Sequence, residues 1–124
     1  INNHIFEEKP IEYFEDIKSG LNHTYSDDLF PFLIVHIPYR NNLSNESTIN
    51  FFRQFEKKEL IILCKEKKKN EFKLSFRSKQ HINTTNIAKH FSGGGHIHAS
   101  GGQFFGKYEQ LLSELIFHSK KEFS

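Results

Sequence analysis

The stretch Phe91-Ser92-Gly93-Gly94-Gly95-His96-Ile97-His98-Ala99-Ser100-Gly101-Gly102 organises the reading of the whole chain. It places five of the seven glycines within ten residues. Three glycines in a row disfavour helix and strand interiors, by roughly 0.5–1 kcal/mol each relative to alanine. Bare backbone is useful where a chain turns tightly or where something must approach its amides. Two readings follow. Successive N–H groups can form a concave nest for an anion, or a helix can stop at glycine and run into a plain loop. Spacing alone leaves both open.

Upstream, Phe72-Lys73-Leu74-Ser75-Phe76-Arg77-Ser78 alternates. Phe72, Leu74 and Phe76 face one side and Lys73, Ser75 and Arg77 the other, as in a half-buried strand. Its end delivers Arg77, Ser78 and Lys79. Two cations with a hydroxyl between them suit a phosphate, since arginine can bind two oxygens at once; a merely solvated strand end is the alternative. Asn83-Thr84-Thr85 then caps a short helix, residues 86–91, with Ile87, Ala88 and Phe91 inward. Downstream, residues 103–106 read as a last strand. Residues 107–123 read as a closing helix with Leu111, Leu112, Leu115 and Ile116 on its stripe and Tyr108 at its start.

Residues 7–19 read as a helix, with Glu7 and Glu8 at its positive end. Pro10 suits its first turn. Ile11, Phe14 and Ile17 form its stripe beside Tyr13, and Gly20 follows as the stop. Residues 22–28 are polar and loop-like. Phe32–Ile37 is a buried strand, with His36 as a hydrogen-bonded core histidine rather than a ligand. Residues 40–44 turn. Ser44 or Asn45 caps a helix to about Phe55, with Ile49, Phe52 and Phe55 inward. Residues 59–65 form a second buried strand, and residues 66–71 a charged hairpin tip turning at Asn70. Lys67-Lys68-Lys69 there reads as a solvated hairpin end that discourages edge pairing, more than as a phosphate patch. The whole predicts an α/β fold: a single small domain, with helices packed on a mixed sheet of about four to five strands.

The 124 residues include fourteen phenylalanines, which supply core bulk despite a low apolar share. A net charge of +2 does not imply general coating of nucleic acid, so any polyanion site must come from local clustering. Cys64 stands alone in an apolar strand, which fits a reducing, cytoplasmic compartment. No run approaches a membrane span, and no membrane partner is expected. The chain begins at Ile1 and has no methionine, so it is expected to be a piece of a longer protein.

Residues 74–79 (Leu-Ser-Phe-Arg-Ser-Lys), Ile82-Asn83, residues 87–91 (Ile-Ala-Lys-His-Phe), Gly93-Gly94-Gly95-His96 and Ala99-Ser100-Gly101 resemble, in order, the DHH-associated C-terminal domain. The likeness is to the first of its two subtypes, the substrate-recognition half of DHH-family phosphoesterases. The resemblance implies that residues 29–124 are this domain and that residues 1–28 form a helix and a connection to an N-terminal catalytic DHH domain. That catalytic half would carry Asp-His-His and two metals, usually manganese. This chain has no Asp-His-His, and its Asp27-Asp28 pair is followed by no histidine, so no cofactor is expected within it.

The resemblance further implies a metal-dependent hydrolase in the intact protein. It would act on a short RNA or DNA oligonucleotide or a nucleotide phosphate, as nanoRNases and phosphoadenosine-phosphate phosphatases do. Arg77, Ser78, Lys79, Gly93, Gly94, Gly95 and Ser100 would bind the substrate. His96 would be the catalytic residue of this domain, touching the scissile phosphate or its leaving oxygen. A RecJ-type exonuclease domain, a cyclic-dinucleotide phosphodiesterase domain and a non-catalytic nucleotide-binding module are the alternatives. His96 and His98 lack further ligands for zinc, and His98 reads as a surface residue. Phe104, Phe105 and Tyr39 have no assigned place.

Overall fold

The computed structural model describes residues 8–38, 43–55 and 57–124. The elements run α1 (Ile11–Leu21), β1 (Thr24–Ser26), β2 (Phe32–Ile37), α2 (Asn45–Phe52), β3 (Leu60–Lys68), β4 (Glu71–Ser78), α3 (Thr85–Ala88), a 3-10 turn (Lys89–Phe91), β5 (Gly94–His96), β6 (Ala99–Phe105) and α4 (Tyr108–Phe123). All strands join one sheet in the order β1-β2-β3-β4-β6-β5. β2 and β3 are parallel and are linked by the α2 crossover, while every other neighbouring pair is antiparallel. This is the expected mixed α/β sheet, with six strands instead of four to five. The strands beyond expectation, β1 and β5, are three-residue strands at the two sheet edges with little burial, so no apolar alternation marks them.

Side-chain alternation divides the core into two layers. Phe32, Ile34, Ile62, Leu74 and Phe76 pack against Ile87, Phe91, Leu111 and Leu115 under α3 and α4. Leu33, Val35, Ile37, Ile61 and Leu63 pack against Ile17, Ile49 and Phe52 under α1 and α2. α2 stops at Phe52, and Phe55 lies beyond it at the surface, so the expected stripe ends one turn early. Because α2 is short, it packs on β3 and β4 and leaves β6 on its own side of the sheet largely uncovered by helix.

The first helix departs from its sequence reading. It starts at Ile11 after the N-cap Pro10, and Gly20 lies within it. Ile11 and Phe14 are exposed, while Asp16, Ile17 and Gly20 are buried. A Cβ on Gly20 would stand 2.8 Å from Val35 Cγ1 and 2.9 Å from Phe52 Cζ, so the missing side chain lets α1 lie close to the sheet. The rotation of the stripe has an electrostatic cause. Asp16 Oδ2 meets Lys65 Nζ at 3.0 Å, with both side chains essentially inaccessible to solvent. The same ammonium donates to the Leu43 carbonyl at 2.9 Å. With β1 paired to β2, residues 11–26 share the sheet and core of the residues that follow. Glu7, Tyr39 and Arg40 lie outside the described residues.

His36 is half-buried and stacks on Tyr108, with ring centroids 3.7 Å apart and an interplanar angle of 11°. Burial, aided by His23, pushes its pKa down to about 4, so it is neutral at ordinary pH. Its Nε2 atom is buried without a hydrogen-bond partner, unlike the expected satisfied core histidine. Flat contact with the Tyr108 ring holds it in place.

Removing one partner of a buried ion pair strands the other charge, at a cost of about 3–5 kcal/mol. Asp16→Leu is therefore expected to lower unfolding free energy in urea by about that amount. The double variant Asp16→Leu/Lys65→Met is expected to recover at least half of the loss. Equal losses in single and double variants would show that the pair does not hold α1.

Candidate functional site

On the uncovered part of the sheet lies a groove of about 840 Å³. Its floor follows from strand register. In one cross-strand row Arg77 of β4 faces Ala99 of β6, which faces His96 of β5. In the next row Ser75 faces Gly101, which faces Gly94. Lys73 faces Gln103 in the row after that. Directly paired residues project to the same face, so Arg77 and His96 share a face with only the small Ala99 between them. Two strand spacings put their backbones about 10 Å apart. Gly101 leaves the middle of the floor without a side chain, and Gly94, its partner on the edge strand, lies beside the groove. The first turn of α2 forms a wall, with Ser44, Asn45 and Glu46 lining the groove.

Asn45 fastens that wall to the floor. Its Nδ2 donates to the Lys73 carbonyl at 3.3 Å and to Ser75 Oγ at 3.1 Å. Its Oδ1 is buried without a partner. Ser44 caps α2 by accepting from the Glu46 N–H at 3.4 Å. Arg77 is partly buried, and one guanidinium nitrogen donates to its neighbour's carbonyl, Phe76 O, at 2.9 Å. Its pKa is lowered, first by desolvation and then by Arg53, with Glu46 opposing. An arginine keeps its charge throughout the accessible pH range. Anion binding would therefore relieve a crowded positive charge.

The glycine stretch is neither a nest nor a simple helix stop. The residue in the left-handed conformation after the helix is Ser92, at φ 55°. The Gly93 N–H closes the turn on the Ala88 carbonyl at 3.0 Å. Gly94, Gly95 and His96 then form β5 and pair with β6. A Cβ on Gly93 would fall 1.8 Å from the Gly101 carbonyl oxygen, which no relaxation of a side chain can cure. Gly95 has φ +148° and would meet the Ala99 oxygen at 2.7 Å. Gly102 crosses under the Phe91 carbonyl, where a Cβ would stand 2.8 Å away. These three glycines serve close backbone approach. A Cβ on Gly94 would meet nothing within 4 Å, so packing does not explain its lack of a side chain.

The residues expected to bind substrate do not all converge. Arg77, Gly93 and the main chain of Ser100 line the groove. His96 stands beyond its edge, exposed and without a side-chain hydrogen bond to any described residue. Ser78, expected beside Arg77, points to the opposite face by strand alternation, and its hydroxyl donates to the Ile82 carbonyl at 2.6 Å. Ser100 is buried, and its hydroxyl donates to Thr84 Oγ1 at 2.8 Å, which donates in turn to the His96 carbonyl at 3.0 Å. That chain of hydroxyls positions the β5–β6 hairpin on α3. Lys79 lies past Arg77, in a small hollow with Arg53 and Lys58. His98 ends the hairpin turn with Nε2 2.7 Å from the Gln80 carbonyl.

Sequence reasoning missed Asn45, Lys73, Ser75 and Gln103 as groove residues. The polar face of β4 was the available signal for two of them. Among the described residues, no three His, Cys, Asp or Glu side chains gather closely enough to hold a metal.

The DHHA1 domain family model matches residues 32–118. Among solved structures, the chain is similar to an exopolyphosphatase-related protein from Bacteroides fragilis, with TM-score 0.81 and 18% identity over 94% of this chain and 36% of that one. It is similar to a pGpG-specific phosphodiesterase from Vibrio cholerae, with TM-score 0.61 and 10% identity over 89% of this chain and 38% of that one. An uncharacterized protein from Helicobacter pylori G27 matches with TM-score 0.51 and 14% identity over 98% and 35%. At such identities these likenesses concern the fold, and the chain spans little more than a third of each of those proteins. No curated protein matches the sequence.

The glycine geometry separates neighbours. Gly93→Ala is expected to lower unfolding free energy in urea by at least about 2 kcal/mol, the size of effect that a backbone clash produces. Gly94→Ala is expected to change it by no more than about 0.5 kcal/mol. Comparable losses at both positions would contradict the assignment.

Proposed function

The chain belongs to the DHHA1 domain family, and we propose that it is the substrate-binding domain of a metal-dependent phosphoesterase acting on short oligonucleotides or nucleotide phosphates. One observation carries the proposal: Arg77 and His96 lie in register on one open face, with a floor of Ala99, Gly101 and Gly94 between and beside them. A phosphate is a tetrahedral anion whose oxygens accept several hydrogen bonds. The Arg77 fork can give it two parallel hydrogen bonds. Gly94, with no side chain and no packing demand, lets the phosphate or sugar come close to the backbone.

In this proposal Arg77 binds and orients the phosphate. His96, exposed at the groove's edge, donates a hydrogen bond to an oxygen of the scissile group, where positioned donors stabilise developing charge. Gly93, Gly95, Ser78 and Ser100 hold the floor and hairpin in shape, and Lys79 adds positive charge behind Arg77. The described residues do not compose a metal's ligand set. By the family likeness, the proposal assigns metal chemistry, with manganese, to an N-terminal catalytic DHH domain, and no step runs through a metal on this chain. The pGpG specificity of the Vibrio cholerae neighbour, a phosphodiesterase by name, supports nucleotides as the substrate class.

Calorimetric titration with a 5′-phosphorylated dinucleotide tests the reading. Arg77→Ala is expected to weaken binding about ten-fold or more, as loss of a charge-assisted hydrogen bond does. Its urea midpoint should stay near wild type. Arg77→Lys is expected to recover only part of the affinity, because a point charge does not reproduce the fork. Indistinguishable affinities for wild type and Arg77→Ala would remove the site.

A further inference from the structure

The face that carries Arg77 and His96 continues beyond the groove. Along β4 and β6 the rows run Arg77–Ala99, Ser75–Gly101, Lys73–Gln103 and finally Glu71–Phe105. Directly paired residues share a face, so Phe105 projects on the side of Arg77 and away from the buried layer. Its neighbour Phe104 turns inward against Phe91, with ring centroids 6.3 Å apart. Phe105 is 64% exposed and has no aromatic partner among the described residues. β5 pairs with β6 only over residues 99–101, so it provides no neighbouring strand beside Phe105. Between the ends stand Lys73 and Gln103, whose side chains have no hydrogen-bond or ion-pair partner among the described residues.

We propose that Phe105 is a stacking platform for a nucleobase and Lys73 a second phosphate contact, so that this face binds a single strand of roughly three nucleotides laid along β6, its length set by the strand rise between Arg77 and Phe105. The proposal rests on the reading of Arg77 as a phosphate site. From Arg77 to Lys73 the strand rises about 14 Å, and from Arg77 to Glu71, opposite Phe105, about 20 Å. One nucleotide cannot bridge the second distance. An exposed aromatic at the end of a partly cationic track is the arrangement that single-strand binders use, because every base offers a π face to stack.

The charge balance favours a short ligand over a long one. Lys67, Lys73 and Arg77 line the groove together with Glu46 and Glu71, leaving one net positive side chain. Neutralisation of one or two phosphates gives a shallow salt dependence, with a logarithmic slope of about −0.7 per phosphate contact on single strands. The small floor residues leave the central nucleotide unread, which fits binding with little sequence preference.

Calorimetric titration of the protein with 5′-phosphorylated oligoadenylates of one to five nucleotides tests the proposal. Affinity is expected to rise from one nucleotide to three and then level off. Phe105→Ala should lose about ten-fold or more for the trimer, the effect of removing one base–aromatic stack, and leave the monomer unchanged. Phe105→Leu should behave like alanine, because bulk without a π face does not stack, and Phe105→Tyr should behave like wild type. If the monomer binds in an Arg77-dependent way but length and Phe105 have no effect, the platform is wrong and the phosphate site survives. If no length binds in an Arg77-dependent way, both fail. Wild-type affinity of Phe105→Leu for the trimer would reassign the ring to apolar packing and overturn the proposal.

Discussion

Lys65 is the buried cation on which the placement of one whole face depends. It lies in the middle of β3, where apolar neighbours would accept leucine, and it holds two separate pieces of chain. Asp16 of α1 neutralises it, and the Leu43 carbonyl, two residues before the start of α2, accepts a second hydrogen bond from its ammonium. A charge taken out of water is tolerated only when paired and hydrogen-bonded. Helix α1 and the entry to α2 are thus fixed by one requirement. Ser44 follows Leu43 directly and caps α2, and Asn45 ties the cap to β4. The wall of the groove is in this sense an extension of the buried ion pair.

The floor depends on a different constraint, the close approach of backbones. Gly93 against Gly101 and Gly102 against Phe91 bring main chains nearer than any side chain permits. The result is a sheet surface with a bare centre, bordered by Arg77, His96, Lys73 and Gln103. The hydroxyl relay from Ser100 through Thr84 to the His96 carbonyl holds this surface against α3 from behind. The groove face is thus braced from both sides of the sheet, by the Lys65 pair and Asn45 on its own side and by the hydroxyl relay behind it.

Much of the fold was legible. The apolar run of β2, the alternation of β4 and the stripe of α4 reported their environments directly, and Asn70 turns the β3–β4 hairpin in the left-handed conformation as expected, at φ 61°. Three features were hidden for physical reasons. The buried face of α1 contains an aspartate and a glycine, and an apolar-stripe search counts both as outward. β5 consists of two glycines and a histidine, a composition that argues against a strand until β6 supplies the pairing. The alternation seen in β4 already placed Ser78 opposite Arg77, yet three adjacent polar residues suggested one shared site. Of the groove lining, Arg77 and Gly93 were singled out by motif spacing. Asn45, Lys73 and Gln103 were not, because they join the groove only through the α2 crossover and the β4–β6 register.

The central claim is that the open β4–β6–β5 face, and no other, receives a phosphorylated nucleotide. Amide chemical-shift mapping with a 5′-phosphorylated dinucleotide measures this without mutation. The account predicts saturable shifts at Arg77, Gly94, His96, Ala99, Gly101 and Asn45, with little change at Ile87, Leu111 or Leu115 on the other side of the sheet. Shifts confined to the α3–α4 side, or no saturable shifts at millimolar ligand, would contradict it.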